Sequence, residues 1–226
     1  MHERAPKVKE GTGLKNLSLF ITVLCLISGA KVRAEGGPET CTYKTYKWNV
    51  HLRQAVEVET VHHPYSDLRP DEIDPATGCT VCEEDQQIID VPPLAPFRLC
   101  KKLAPHIRVV LEELVRAGEP IYEVEGYRVG KTRGDPDKNG NRTKFSNHSY
   151  GVAVDINPQR NGLYDRCLSF GPHCRLIRGG PLRPGQPGTL TADCAVVKAI
   201  KTAGFRWGGE IQGKQKDFMH FSPSGY

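Results

Sequence analysis

The chain has 226 residues, a formal net charge of +5, 38% hydrophobic and 25% charged residues. Six of its 31 Lys+Arg but only two of its 26 Asp+Glu fall in residues 1–34, so most of the basicity sits there. The nearly neutral remainder gives no electrostatic case for a nucleic-acid partner and is long enough for one domain with a real core.

Residues 1–34 read as a secretory signal peptide. Arg4, Lys7, Lys9 and Lys15 make a basic start, LSLFITVLCLISGA (17–30) is an apolar run, and Val32 and Ala34 suit a peptidase exit. The run is shorter than the roughly 20 residues that span a bilayer. The expected protein is secreted or periplasmic, with no stable membrane association once the leader is removed. Cys25 follows Leu24 rather than a small residue, which argues against lipidation.

Seven cysteines follow, and export makes disulfides their default state. The odd number leaves at least one thiol over. Cys167 and Cys174 are expected to pair locally, and Cys194 to anchor the far end of the same excursion to another half-cystine. Cys79-x-x-Cys82 lacks the second pair that a zinc knuckle needs.

Residues 35–99 form a cysteine-containing extension. The stretch 46–61 partly alternates and is consistent with a strand, HHPYSDLRPDEIDPATG is turn-rich, and VPPLAP cannot be helix interior. Residues 100–226 carry a second pattern. Ile107, Val110, Leu111, Leu114 and Val115 predict a helix over 105–117, closed by Gly118 and Pro120. IYEVEGYRV (121–129) predicts a strand, and 130–146 a polar loop. Within it DPDKNG copies the first half of a calcium loop, but Ser146 stands where the bidentate Glu belongs, so a plain turn is expected. After 156 a long excursion rich in Gly and Pro runs to Thr191, which is placed to N-cap a helix over 192–203 that Gly204 ends.

NHSYGVAVDI (147–156) sets an acid at the end of an apolar run, where a carboxylate is costly to desolvate. A cation would neutralise it. If Gly151 bends the chain, 152–156 can run as a strand, and His148 can fold back over Ala153 toward Asp155. His220, in DFMHF, is a third ligand candidate and Asp217 lies three residues before it. Two histidines and one carboxylate are a usual catalytic zinc set.

Ser146-x-His148-x-x-Gly151-x-Ala153-x-Asp155, then Trp207-Gly208-Gly209, then Asp217-x-x-His220-Phe221 resembles the zinc D-alanyl-D-alanine carboxypeptidase and L-alanyl-D-glutamate endopeptidase family, over roughly residues 100–222. The resemblance implies an α+β fold shared with the hedgehog signalling domain, in which a small antiparallel sheet carries the zinc site and helices pack on one face. It implies one zinc ion on His148, Asp155 and His220, with Asp217 as the general base. Many relatives carry Glu there, so Glu210 is kept as an alternative base. Arg128 matches an arginine that stabilises the carbonyl oxyanion in relatives, with Arg133 as the other candidate. Ser146, Trp207 and Tyr127 are expected to contact substrate, although Trp207 also fits a core position. The partner implied is a peptidoglycan peptide acted on by a monomer. The alternative reading is a zinc-containing binding module of the same fold without turnover.

Overall fold

A computed structural model describes residues 1–2 and 37–225. Apart from Met1 and His2, the expected signal peptide lies outside the described residues. Residues Met1–Gly36 form one unit and Gly37–Tyr226 another, so the extension and the motif-bearing half share one compact body. Among the described residues no helix is long and apolar enough to cross a membrane.

The chain is mixed α+β, with few helices and small sheets. β1 (Thr40–Asn49) and β2 (Gln54–Pro64) make a long hairpin, where the sequence pattern had pointed to a single strand over 46–61. β3 (Gln86–Ile89) and β4 (Phe97–Cys100) form a second, short hairpin. α1 (Ala104–Arg116) begins with Pro105 in its first turn, where proline costs no hydrogen bond, and buries Ile107, Leu111 and Leu114. The strand expected over 121–129 shrinks to β5 (Val124–Glu125). Its backbone amides go to other partners: the Asn157 side-chain oxygen accepts from Tyr122 and Glu123, and the Arg98 backbone carbonyl accepts from Tyr127.

The expected polar loop 130–146 is instead a hairpin of β6 (Lys131–Pro136) and β7 (Arg142–Phe145), joined to β1 and β2 in one sheet. Its strands are largely solvent-facing, so no apolar alternation marks them. The Asp137 carboxylate at its tip accepts from the amides of Asn139 and Asn141, a turn-closing role rather than calcium ligation. β8 (Val154–Ile156), β9 (Leu163–Asp165) and β10 (Arg175–Arg178) follow, then α2 (Ala195–Thr202), β11 (Arg206–Trp207), β12 (Gln215–Asp217) and β13 (His220–Ser222). β9 and β10 were hidden in the excursion by its flanking Gly and Pro. α2 starts three residues later than expected, because Thr191 bonds Asp193 and Cys194 takes the N-cap position.

Two sheets build the functional region. One has the order β11-β13-β8-β5, the other β10-β9-β12. Val154, Ile156 and Phe221 of the first pack with Ile107, Leu111, Val197 and Ile200 of the helices in the main core. The helices therefore lie on one face of that sheet, and alternation sends Asp155 and His220 to the other.

Three disulfides staple the fold: Cys41–Cys82, Cys79–Cys100 and Cys167–Cys174. The local Cys167–Cys174 pair is as expected. Cys194 is a free, half-buried thiol, so the anchor expected of it does not form: among the described residues the other six half-cystines pair with one another. Cys79–Cys100 ties the extension covalently to the start of the motif-bearing half.

The extension has a polar core of its own. Fully buried Glu72 accepts from the Tyr43 hydroxyl at 2.6 Å, from Arg69 Nη2 at 2.7 Å and from the Arg69 amide at 2.7 Å, with His63 Nε2 at 3.0 Å. Burial would raise its carboxyl, but these donors outweigh it and hold it down at about 2. A depressed carboxyl stabilises fully above its unfolded value and loses that contribution as pH falls through the folded one. The metal-free protein should thus lose about 3 kcal/mol from this group between pH 4.5 and 2. Glu72→Gln should be less stable at pH 7 and flatter across that window. Urea unfolding at several pH values checks this; parallel pH curves for both proteins would refute it.

Candidate active site

His148 sits in a short 3-10 turn, Asn147–Tyr150, which Gly151 ends in the left-handed conformation at φ 64°. A Cβ there would meet Gln86 Oε1 at 2.0 Å and the Cys100 amide nitrogen at 2.6 Å. Only glycine fits, so the bend that aims His148 depends on the motif glycine and on the extension pressed against it. Asp155 is the middle residue of β8, and His220 lies directly opposite it on β13. Cross-strand partners share a face, which brings the two together without further help.

The three groups converge. Asp155 Oδ1 lies 3.1 Å from His148 Nε2 and 3.1 Å from His220 Nδ1. One ligand atom from each residue can be chosen so that all lie within 4.8 Å of one another. Their side chains are 4–8% exposed, so charge here is poorly solvated. His148 Nδ1 donates to the Gly126 carbonyl at 2.8 Å. In the neutral ring its Nε2 then turns a lone pair toward a carboxylate oxygen, an arrangement that a cation between them would satisfy. His220 has Nε2 buried without a partner, so in either tautomer one lone pair is left for a cation. The two 3.1 Å separations from Asp155 are near the about 3.3 Å between ligand atoms of tetrahedral zinc with bonds near 2 Å. Burial lowers the His148 ring's affinity for a proton, which keeps it neutral as a ligand must be. Burial alone would raise the Asp155 carboxyl; His148 and His220 outweigh it and hold it well below the usual range.

Arg128 is the arginine brought to this trio. Its Nη2 donates to Asp155 Oδ2 at 2.6 Å, its Nη1 lies 3.0 Å from His148 Nδ1, and Glu125 flanks it at 3.3 Å. Arg133 lies in β6 opposite Lys144. Glu125 was missed in the sequence. It pairs with Asp155 across β5 and β8, so Glu125, Asp155 and His220 form one row, a relation visible only once strand register is known.

Asp217 ends β12 in the second sheet, and His220 opens β13 in the first; residues 218 and 219 make the step between sheets. Asp217 thus stands at a strand end, across the step from His220. Its Oδ1 is buried with no hydrogen-bond partner. Burial pushes its carboxyl up to about 6, with Asp155 adding to the rise while His220, Arg178 and Arg128 pull the other way. Gly208 explains part of the Trp-Gly-Gly motif. A Cβ there would meet the Asp217 carbonyl oxygen at 2.2 Å. Trp207 is buried, donates from Nε1 to the Phe218 carbonyl at 2.8 Å and stacks edge-on against Phe218, which fixes the turn after Asp217.

The other expected site residues have partners outside the trio. Glu210 is exposed, with both carboxylate oxygens 2.7 Å from Lys201 Nζ. The Tyr127 hydroxyl donates to the Val81 carbonyl at 2.6 Å, at the seam with the extension. Ser146 occupies the N-cap position before His148 and faces Ser149 at 3.2 Å.

An unpaired buried acid beside a two-histidine, one-carboxylate trio is what metal-assisted hydrolysis requires. The sequence comparison points the same way. Residues 139–223, which contain all four of these groups, match the family model described as D-alanyl-D-alanine carboxypeptidase. Over that stretch the resemblance to the zinc DD-peptidase family holds, and it supports a hydrolase of the peptidoglycan-related metallopeptidase kind. No curated protein and no solved structure matches the chain.

Proposed function

We propose that this is a secreted zinc metallopeptidase with the hedgehog/DD-peptidase arrangement, cleaving peptide bonds that involve D-amino acids in peptidoglycan stem peptides. The observation that carries the reading is the buried, unpartnered Oδ1 of Asp217 beside the His148–Asp155–His220 trio. His148, Asp155 and His220 would hold one zinc ion. When bound, the metal supplies Lewis acidity toward the scissile carbonyl and lowers the pKa of the attacking water. Asp217 takes the proton from that water at its free carboxylate oxygen and returns it to the leaving amine. Arg128 holds Asp155 in place by its Nη2 and offers positive charge to the developing oxyanion. Gly208 and Trp207 position the Asp217 segment. The three disulfides suit an oxidising compartment.

The test is digestion of purified muropeptides by the zinc-loaded protein, with new termini identified by mass spectrometry. New carboxyl ends beside D-amino acids are expected. Intact muropeptides in the presence of one zinc per chain would leave only a binding module.

A further inference from the structure

We propose that Arg178 is a specificity-determining residue that holds the free C-terminal carboxylate of the peptide, which makes the enzyme a carboxypeptidase. The inference rests on the peptidase reading above and deepens it.

The second sheet places Arg178 beside the site. Asp217 pairs with Leu163 across β12 and β9, and Leu163 pairs with Arg178 across β9 and β10. The three residues form one row, which β10 joins past a register shift between Leu176 and Arg178, and directly opposed residues point to the same face. With strands about 4.8 Å apart, the Arg178 backbone stands about 10 Å from that of Asp217. Arg178 thus projects from the same face as the acid, one strand beyond Leu163. The electrostatics agree, because Arg178 is among the cations that Asp217 feels.

Arg178 is exposed. Two other arginines of this region have carboxylate partners: Arg175 is paired with Asp165, and Arg128 with Asp155. Among the described residues no carboxylate hydrogen-bonds or ion-pairs with Arg178. The strand that carries it is fixed at both ends. Cys167–Cys174 closes the turn before β10. After β10, Gly180 donates to the Pro158 carbonyl at 2.9 Å and accepts from Gly162 at 2.9 Å, tying the strand to the segment that follows Asp155. A cation carried on a fixed strand beside the acid, with no carboxylate partner among the described residues, is suited to an anion on the substrate.

Peptide geometry says which anion. If the scissile carbonyl sits between the trio and Asp217, the next residue begins about 3.8 Å further along the chain. If the chain runs from there toward β10, a carboxylate ending that residue falls within the gap of about 10 Å between Asp217 and Arg178. A guanidinium takes a carboxylate through two parallel N–H bonds, and a backbone amide at the same place offers neither the charge nor the second oxygen.

The experiment compares one tripeptide ending in D-Ala-D-Ala as the free acid and as the C-terminal amide, on the full zinc-loaded chain. The parent should prefer the acid. Arg178→Gln should raise KM for the acid about 10- to 100-fold, change kcat far less and leave the amide unaffected. Arg178→Lys should recover part of the loss. Arg183→Gln, at an exposed arginine of the same excursion, should behave as the parent. Equal cleavage of acid and amide by the parent, or equal losses on both in Arg178→Gln, overturns the proposal. If the parent cleaves neither peptide yet digests muropeptides, the proposal falls and the peptidase reading stands; if it digests neither, the peptidase reading fails, and calorimetric binding of the two peptides decides the rest. Binding of the acid that Arg178→Gln abolishes supports the carboxylate site; no binding, or binding indifferent to Arg178, ends it.

Discussion

Asp217→Asn is expected to keep one zinc per chain and to lower turnover of stem peptides by about two to four orders of magnitude. Asparagine keeps the size of the side chain and the backbone contact with Gly208, but it cannot accept a proton. Ligand and base therefore separate in one variant. The pH profile gives a second reading. A base must be ionised, and burial holds Asp217 up to about 6 in the metal-free protein. A dication beside it favours the charged form and lowers that value. The parent's rate should therefore rise with pH, with an acid limb at or below about 6. Asp217→Glu should recover part of the rate and move the limb. Glu210→Gln should keep parental rates, since its carboxylate is bound to Lys201 on the surface. Near-parental turnover in Asp217→Asn, with loss in Glu210→Gln, would move the base to Glu210.

His220→Ala is expected to lose zinc and, with it, the stabilisation that zinc confers. Only the folded state assembles the trio, because the three residues come from a 3-10 turn and two different strands. Binding that discriminates so sharply stabilises by about 4 kcal/mol when free metal stands a thousandfold above its dissociation constant. Thermal unfolding of the parent should shift upward with added zinc, and His220→Ala should show little shift at the same concentration. The metal-free proteins should differ far less, since the variant removes one partner of Asp155 but leaves His148 and Arg128 on it. Elemental analysis gives the direct measure. Equal zinc in parent and variant would overturn the ligand assignment.

The site was legible in the sequence to the extent that it depended on local chemistry. An acid ending an apolar run, a histidine seven residues before it and a glycine between them each had a reason that a linear pattern can carry. Gly151 bends as expected, and α1 begins within one residue of its expected start. Register was not legible. Nothing in IYEVEGYRV says that Glu125 faces Asp155, and nothing in the excursion says that Arg178 lines up with Asp217. The hairpin of β6 and β7 was missed because its strands are polar and half exposed, so their signal is pairing rather than alternation. Thr191 was the expected cap, yet a hydroxyl with an acid two residues on can satisfy itself locally, and the helix waits until Cys194.

The clasp on Gly151 has a bearing on how this catalytic unit could be moved or minimised. Gln86 and Cys100 crowd the glycine, and the Cys100 amide donates to the Gly151 carbonyl at 2.9 Å. Arg98 likewise accepts from the Tyr127 amide, one residue before Arg128. The segments aiming His148 and Arg128 are thus braced by chain that precedes every residue of the chemical motif. A fragment cut at the motif's own edge would keep each reacting group and lose the mould that shapes two of them. Grafting the centre onto another scaffold would therefore require transplanting the brace, or inventing a substitute for it.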